Sequence, residues 1–192
     1  MLDRAALDLV SLSLEYPDET VTAALAAAEP DAVSLGTALS EALDGLRAWL
    51  VSAGQHQAEE SYTRLFDMSP VCTLHAGYHL FGDAYQRGAL LASLAAELRL
   101  AGVPQRDGEL PDFLPTLLRL AGRLPEGEER ALLVDFLLLP ALTRMNAALA
   151  GSPSPWAAVL AALPAALAPL GAGLEAPDYK PVDSPEEVPL HV

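Results

Sequence analysis

Residues 32–53, AVSLGTALSEALDGLRAWLVSA, decide the fold class of this chain. Their larger apolar side chains recur at intervals of three and four, which is the spacing of one face of an α-helix. Gly54 follows directly, at a place where helices commonly end. The whole chain contains no isoleucine, and its apolar content comes mainly from alanine and leucine, which favour helix over strand. The sequence therefore predicts an all-α protein.

The same reasoning extends along most of the chain. Apolar spacing, together with the positions of glycine and proline, predicts a single-domain helical bundle of about seven or eight helices within residues 1–170. The first helix is predicted to stop before Tyr16-Pro17, and Asp18 is the predicted N-cap of the second. The longest helix is predicted over residues 73–101, and another over residues 126–149, which Pro140 can kink. The last is predicted over residues 155–170, with its larger apolar side chains in one stripe. After Gly171, proline recurs every four residues between acidic positions, so no helix is expected there. Residues 171–192 are therefore predicted to form an extended or disordered C-terminal tail.

The charge of the chain restricts the class of partner. The formal net charge is −15, and residues 1–60 hold eleven acidic against two basic side chains. Nucleic acids and anionic membranes both require basic surface, so neither is expected as a partner. A basic partner would be attracted. The alternative is that the acidic residues only keep the protein soluble.

Cysteine usage and apolar segments bear on the compartment. Cys72 is the only cysteine, so an internal disulfide cannot form, which fits a reducing cytoplasm. Residues 1–10, MLDRAALDLV, lack the basic start and apolar core of a signal peptide. The longest stretch without charge, residues 145–174, is interrupted by glycine and four prolines, which disfavours a spanning helix. We expect a cytoplasmic protein with no stable membrane insertion.

Residues 62–83, YTRLFDMSPVCTLHAGYHLFGD, differ from the rest of the chain and are the first place to look for a site. Cys72, His75 and His79 have a spacing that could place metal ligands, or a thiol and an imidazole, close together. The glutamate of an HExxH zinc motif is missing, no second ligand cluster follows, and no glycine-rich phosphate loop is present. We therefore expect neither a metal nor a catalytic site. A small metal- or thiol-dependent enzyme at these three residues remains the alternative.

Aromatic and charged side chains around this stretch favour a groove for an amphipathic peptide. Rings with polar tips suit such a groove, and acidic residues at its rim would receive the basic end of the peptide. The predicted groove is formed by the helix that ends at Phe66, the long helix and the turn at residues 109–115. Arg87 could instead brace that turn through Asp112, and Asp112 could be a plain helix N-cap. The candidate peptide-binding residues are Tyr62, Phe66, His75, Tyr78, His79, Asp83, Arg87, Glu109 and Asp112.

Several short motifs, in the same order, resemble one family. The quoted blocks are Leu14-Glu15-Tyr16-Pro17-Asp18-Glu19, Tyr62 with Leu65-Phe66-Asp67, His79 with Gly82-Asp83 and Arg87-Gly88, and Glu109-Leu110-Pro111-Asp112. They resemble the nitrate reductase delta subunit, the NarJ-like branch of the redox-enzyme maturation chaperones. The chain departs from the family pattern at Ala84-Tyr85-Gln86 and at Phe113, where a histidine is usual. These departures bear on which enzyme is the client.

The resemblance implies a cytoplasmic assembly chaperone that is not an enzyme and carries no cofactor. Such a protein binds the basic N-terminal segment of the apo catalytic subunit of a molybdenum oxidoreductase, nitrate reductase foremost, and assists insertion of the molybdenum cofactor. On this reading Asp83, Glu109 and Asp112 would meet arginines of the client. A monomer or weak dimer is expected. The remaining alternative is a structural adaptor whose alanine-rich last helix docks a partner.

Overall fold

The computed structural model describes residues 2–28, 35–68, 72–106 and 108–179, and within them the chain is helical with no strand. The all-α prediction is confirmed. The helices are α1 Arg4–Ser13, α2 Glu19–Ala27, α3 Thr37–Ala53, α4 Gln55–Phe66, α5 Ala76–Phe81, α6 Tyr85–Leu100, α7 Leu114–Arg123, α8 Glu128–Leu133, α9 Leu139–Ala148 and α10 Pro155–Leu167. The π turn Val134–Leu138 joins α8 and α9, and the 3-10 turn Ala168–Leu170 ends α10.

Capping residues determine where the first two helices begin. The Asp3 carboxylate accepts a hydrogen bond from the Ala6 amide at 2.8 Å, and that of Asp18 accepts one from the Val21 amide at 2.8 Å. Each carboxylate thereby satisfies an amide that has no partner within the helix. The predicted break at Tyr16-Pro17 and the Asp18 N-cap are confirmed.

The predicted long helix over residues 73–101 is wrong, because the structure divides it into α5 and α6. Gly82 separates the two with φ +57° and ψ −139°, a backbone conformation that side-chain-bearing residues rarely adopt. Among the residues that the structure describes, this division raises the helix count to nine, with Glu128–Ala148 counted as one continuous run. It also removes the spacing of about one helical turn that a continuous helix would give His79 and Asp83.

Two further helices differ from their predicted form. Helix α3 begins at Thr37, after non-helical Leu35 and Gly36, while the earlier predicted positions 32–34 lie outside the described residues. The helix predicted over residues 126–149 is continuous, but it widens into the π turn just before Pro140. Proline cannot donate to the carbonyl four residues earlier, and its ring crowds that carbonyl, which gives the local widening a physical cause.

Helix α10 lies at the centre of the bundle. Helix α10 packs between α3 and α9, and α1 packs against α7. The predicted apolar stripe of α10 is buried along its whole length: Trp156, Val159, Leu160, Leu163, Leu167 and Leu170. The protein's own core uses this stripe, so a partner that docks on this helix, as the adaptor alternative requires, would meet the opposite face with the exposed Ala158, Ala161 and Ala165.

Two segments of the C-terminal half bear on the predicted tail and on the expectation of no membrane-spanning helix. Residues 171–179 contain no helix and lie on the surface, while residues 180–192 of the predicted tail lie outside the described part. The run Glu128–Ala148 is, among the described residues, the one helix long and apolar enough to cross a membrane. Half of its most apolar window is buried in the protein, and core helices of soluble proteins meet the same criterion.

Candidate functional site

Two segments that are far apart in the sequence pair with each other at the candidate site. The Ala76 amide donates to the Asp112 carbonyl at 2.8 Å, and the Leu114 amide donates to the Leu74 carbonyl at 2.8 Å. His75 and Phe113 thereby face each other across a short antiparallel bridge. This pairing joins the residues before α5 to those before α7. It brings the Glu109–Asp112 motif against residues 75–87, which are far from it in sequence.

The Asp112 carboxylate is the centre of the site. Its side chain is fully buried, and it accepts hydrogen bonds from Arg87 Nε at 2.9 Å and from His75 Nδ1 at 3.1 Å. Burial alone would raise the pKa of Asp112, but the hydrogen bonds from His75 and Arg87 outweigh it and hold the pKa below its usual value. The bracing alternative for Arg87 is therefore observed. The N-cap alternative is wrong, because α7 has Phe113 at its N-cap and no side-chain cap.

Further predicted residues extend this arrangement in both directions. His75 Nε2 lies 3.5 Å from the Glu109 carboxylate, so one imidazole lies between two carboxylates. On the other side, the Arg87 guanidinium lies over the Tyr78 ring, 5.5 Å from its centroid. Asp83, whose side chain is 88% exposed, reaches Arg87 at 3.7 Å. We call His75, Tyr78, Asp83, Arg87, Glu109 and Asp112 the Asp112 network.

His79 lies beside the Asp112 network without joining it. Its Nε2 donates to the Thr73 carbonyl at 2.7 Å, and burial lowers the pKa of the imidazole. Cys72 is buried, and its Sγ lies 3.7 Å from the same carbonyl. Within the described residues, no group of three or more His, Cys, Asp or Glu is placed to hold a metal ion. The three residues of the enzyme alternative thus have their polar atoms directed at other partners.

We expect the Cys72 thiol to resist alkylation by iodoacetamide in the folded protein at neutral pH. Burial raises its pKa to about 11, and the thiolate is the reactive form. Mass spectrometry of the alkylated protein over time would measure the rate, and the same reaction in denaturant would supply the reference rate. Equal rates in the folded and unfolded protein would contradict the burial of Cys72 and favour the thiol-enzyme alternative.

Tyr62 and Phe66 are buried aromatic residues of the candidate set. Each is 4% exposed, and their rings pack edge to face at 4.9 Å. The Tyr62 hydroxyl donates to the Leu14 carbonyl at 2.8 Å, which ties α4 to the end of α1. Both residues still line a recess of about 150 Å³ together with His75 and Glu109. They form the floor of this recess and offer little ring surface to a ligand.

Several residues of the recess were missed by the sequence analysis. Its other lining residues are Tyr16, Asp67, Thr73, Leu74, Arg106 and Phe113. Arg106 pairs with the buried Glu15 carboxylate at 3.2 Å, which holds the turn before Glu109 near the end of α1. Asp67 and Tyr16 each lie inside one of the motifs that resemble the family, so this membership could have identified them as candidate residues. Arg106 carried no comparable signal.

A larger cavity lies away from these residues. It measures about 750 Å³ and is formed by α2, α3 and the start of α4. Its walls are mostly apolar, and among the described lining residues Arg47 is the one charged side chain. The smaller recess is the better candidate for recognising a charged ligand because carboxylates, an imidazole and aromatic rings converge on it.

Comparison with known proteins gives these residues a family context. The family model described as nitrate reductase delta subunit matches residues 33–162. The nitrate reductase molybdenum cofactor assembly chaperone NarJ of Escherichia coli (strain K12) is 29% identical over 154 residues, which cover 74% of this chain and 61% of that protein. The probable nitrate reductase molybdenum cofactor assembly chaperone NarW of the same strain is 27% identical over 157 residues, covering 82% and 65%.

A third relative shows how far the similarity reaches. The nitrate reductase-like protein NarX of Mycobacterium tuberculosis (strain CDC 1551 / Oshkosh) is 33% identical over 114 residues, covering 54% of this chain and 18% of that protein. The chain spans less than two thirds of the length of the two Escherichia coli relatives. The family match nevertheless covers well over half of the chain, including every residue of the Asp112 network. The chain belongs to the nitrate reductase delta subunit family.

Proposed function

We propose that this protein is a cytoplasmic assembly chaperone for a molybdenum oxidoreductase, with nitrate reductase as the first candidate client. It would bind the N-terminal segment of the apo catalytic subunit and assist insertion of the molybdenum cofactor, with no catalysis of its own. Family membership and the names of the two Escherichia coli relatives, a nitrate reductase molybdenum cofactor assembly chaperone and a probable one, support this role. The observation that carries the proposal is the recess beside the Asp112 network, where anionic and aromatic groups converge.

The recess would receive one basic side chain of the client. Asp67 and Glu109 supply carboxylates, and the rings of Tyr16 and Phe113 supply flat walls. A guanidinium pairs with carboxylates and stacks on aromatic faces, so arginine fits this combination better than lysine. A volume of about 150 Å³ is too small for a folded element and suits a single side chain.

The exposed surface beside the recess would receive the apolar part of the client. Tyr78 is 40% exposed and Tyr85 is 90% exposed, at the two ends of the α5–α6 junction. Rings that combine an apolar body with a polar tip are favoured in interfaces. Asp112 is buried and already paired, so we assign it to positioning Arg87 and His75. Client arginines would meet Asp83, Glu109 and Asp67 instead.

The proposal predicts that the double substitution Asp83→Asn/Glu109→Gln weakens binding of a synthetic peptide of the N-terminal segment of the nitrate reductase catalytic subunit. We expect about a tenfold loss of affinity, because each partly exposed charge pair contributes up to about 1 kcal/mol. Isothermal titration calorimetry would measure the affinity. Binding should also weaken as salt concentration rises, since exposed charge pairs are screened.

The matched control is Asp44→Asn/Glu126→Gln, which changes the net charge by the same amount. These carboxylates are 61% and 74% exposed, and within the described ranges each pairs only with an arginine three or four positions later. If both double variants lose affinity equally, the effect is one of overall charge and the site assignment is wrong. The chaperone role itself is tested by the molybdenum content of nitrate reductase from cells that lack this protein. An unchanged content would contradict the role.

A further inference from the structure

Residues 171–179 run over the surface of the bundle, and we call them the strap. The strap is anchored first at Asp135, a buried carboxylate on the π turn. That carboxylate accepts hydrogen bonds from the Ala172 amide at 2.8 Å and the Leu174 amide at 3.0 Å. Gly171 passes so close that a methyl group at its Cα would overlap the Asp135 carboxylate. The start of the strap therefore packs against the Asp135 carboxylate, which has no other hydrogen-bond donor in the described part of the chain.

The second anchor is Tyr179, at the other end of the strap. Its hydroxyl donates to the Phe136 carbonyl at 2.6 Å. In a regular α-helix that carbonyl would accept from the residue four positions on, which is Pro140 and has no N–H. The Tyr179 ring packs edge to face on the Phe81 ring of α5 at 5.2 Å. The strap thus ends on a side chain of the helix that also carries Tyr78 and His79.

Arg144 connects the strap to the candidate site. Its guanidinium donates to the Tyr179 carbonyl and, at 2.5 Å, to the His79 carbonyl at the end of α5. One side chain therefore holds the last turn of α5 and the end of the strap together. A displacement of the strap end or of the last turn of α5 is therefore transmitted to the other through the Arg144 guanidinium.

The groups beneath the strap recognise extended main chain more than a particular sequence. Asp135 accepts amides, Arg144 donates to a carbonyl, and only the Phe81 position selects an aromatic ring. Recognition through main-chain groups, with one side-chain pocket for specificity, is common in the binding of extended peptides. Most strap residues are exposed, including Leu174 at 45%, so few contacts would be lost on its release. The strap also lies outside the residues 33–162 that match the family model.

We propose that the strap fills, in cis, an extended-peptide surface continuous with the candidate site, and that a bound client segment displaces it. The occupant is the stretch of client that follows the arginine held in the recess, because α5 borders both the Asp112 network and the strap. This inference rests on the proposed function. If the strap is seated in about nine of ten molecules, the apparent client affinity is reduced about tenfold, in proportion to the open fraction.

The test uses the full chain and two substitutions that release the strap by different means. Gly171→Ala places a methyl group against the Asp135 carboxylate, and Tyr179→Ala removes the ring and hydroxyl at the other end. Both are expected to raise the affinity for the synthetic N-terminal peptide of the catalytic subunit about tenfold. Both should also accelerate hydrogen exchange of the Ala172 and Leu174 amides. Glu175→Gln, an exposed change on the same strap, should leave that exchange rate as it is.

The wild-type protein provides the decisive comparison. Adding the peptide should accelerate exchange of the Ala172 and Leu174 amides if it displaces the strap. If the wild type binds the peptide while these amides stay protected, and neither release variant gains affinity, the strap is structural and only this inference falls. If neither the wild type nor the release variants bind the peptide, the proposed function fails, and competition by the strap fails with it.

Discussion

Replacing Asp112 with asparagine is expected to lower the free energy of unfolding by about 3–5 kcal/mol, the usual cost of removing one partner from a buried charge pair. The change leaves the Arg87 guanidinium, whose side chain is 13% exposed, without its closest counter-charge. It also removes the anionic acceptor that orients His75. Urea unfolding followed by circular dichroism would measure the loss.

Asp83 offers a matched control, because its carboxylate faces the same guanidinium at 3.7 Å but is 88% exposed. We expect Asp83→Asn to change stability by less than about 1 kcal/mol, as is typical of solvent-exposed ion pairs. Similar losses in the two variants would mean that burial of Asp112 does not determine the energy of the network. The asparagine at position 112 should also weaken peptide binding indirectly, since His75 lines the recess.

The Asp112 carboxylate also contributes to the pH dependence of folding stability. The pKa of Asp112 is lowered in the folded protein, so its stabilising contribution is present above about pH 3.9, the unfolded value, and is lost as pH falls through the folded pKa. Burial lowers the pKa of His79, so the unfolded chain takes up this proton first, and stability declines below about pH 6.5. Asp112→Asn should reduce the loss of stability that Asp112 protonation causes at acidic pH. It should leave unchanged the loss of stability that begins near pH 6.5.

Replacing Trp156 with alanine is expected to cost about 3–5 kcal/mol of unfolding free energy, because a fully buried aromatic side chain would leave a cavity at the centre of the bundle. Trp156 is 1% exposed and packs edge to face on the rings of Trp49 at 5.3 Å and Tyr62 at 5.5 Å. Its Nε1 also donates to the Ser13 carbonyl at 3.1 Å. Thermal and urea unfolding would both report the loss.

Trp156→Phe separates packing from the hydrogen bond. It keeps a ring against Tyr62 but leaves the buried Ser13 carbonyl without its donor, so we expect a smaller loss than for alanine. Because Tyr62 is part of the floor of the recess, the alanine variant should also bind the client peptide more weakly under conditions where it remains folded. A loss below about 1 kcal/mol for alanine would contradict the central position assigned to α10.

The sequence by itself determined the fold class and most helix positions. Alanine and leucine at helical spacing are local signals, and so are the Asp18 cap and the Tyr16-Pro17 break, because each acts within a few residues of its own position. It also identified the members of the Asp112 network as candidates, since their residue types stand out in an alanine-rich chain. Whether they bind a peptide remains a prediction.

Tertiary structure alone decided how these residues are arranged. The break at Gly82 was not predicted, because a glycine inside a helical pattern tolerates both continuation and interruption, and packing selects between them. From the sequence, Asp112 could be a client contact, a plain cap or the partner of Arg87. Its burial against Arg87 follows from the pairing of residues 74–76 with 112–114, about 37 positions apart. The strap depends on the Phe136 carbonyl and the Asp135 carboxylate meeting residues about 40 positions later. Contacts of this range cost loop-closure entropy, and the assembled fold, with all its neighbours in place, is what offsets that cost.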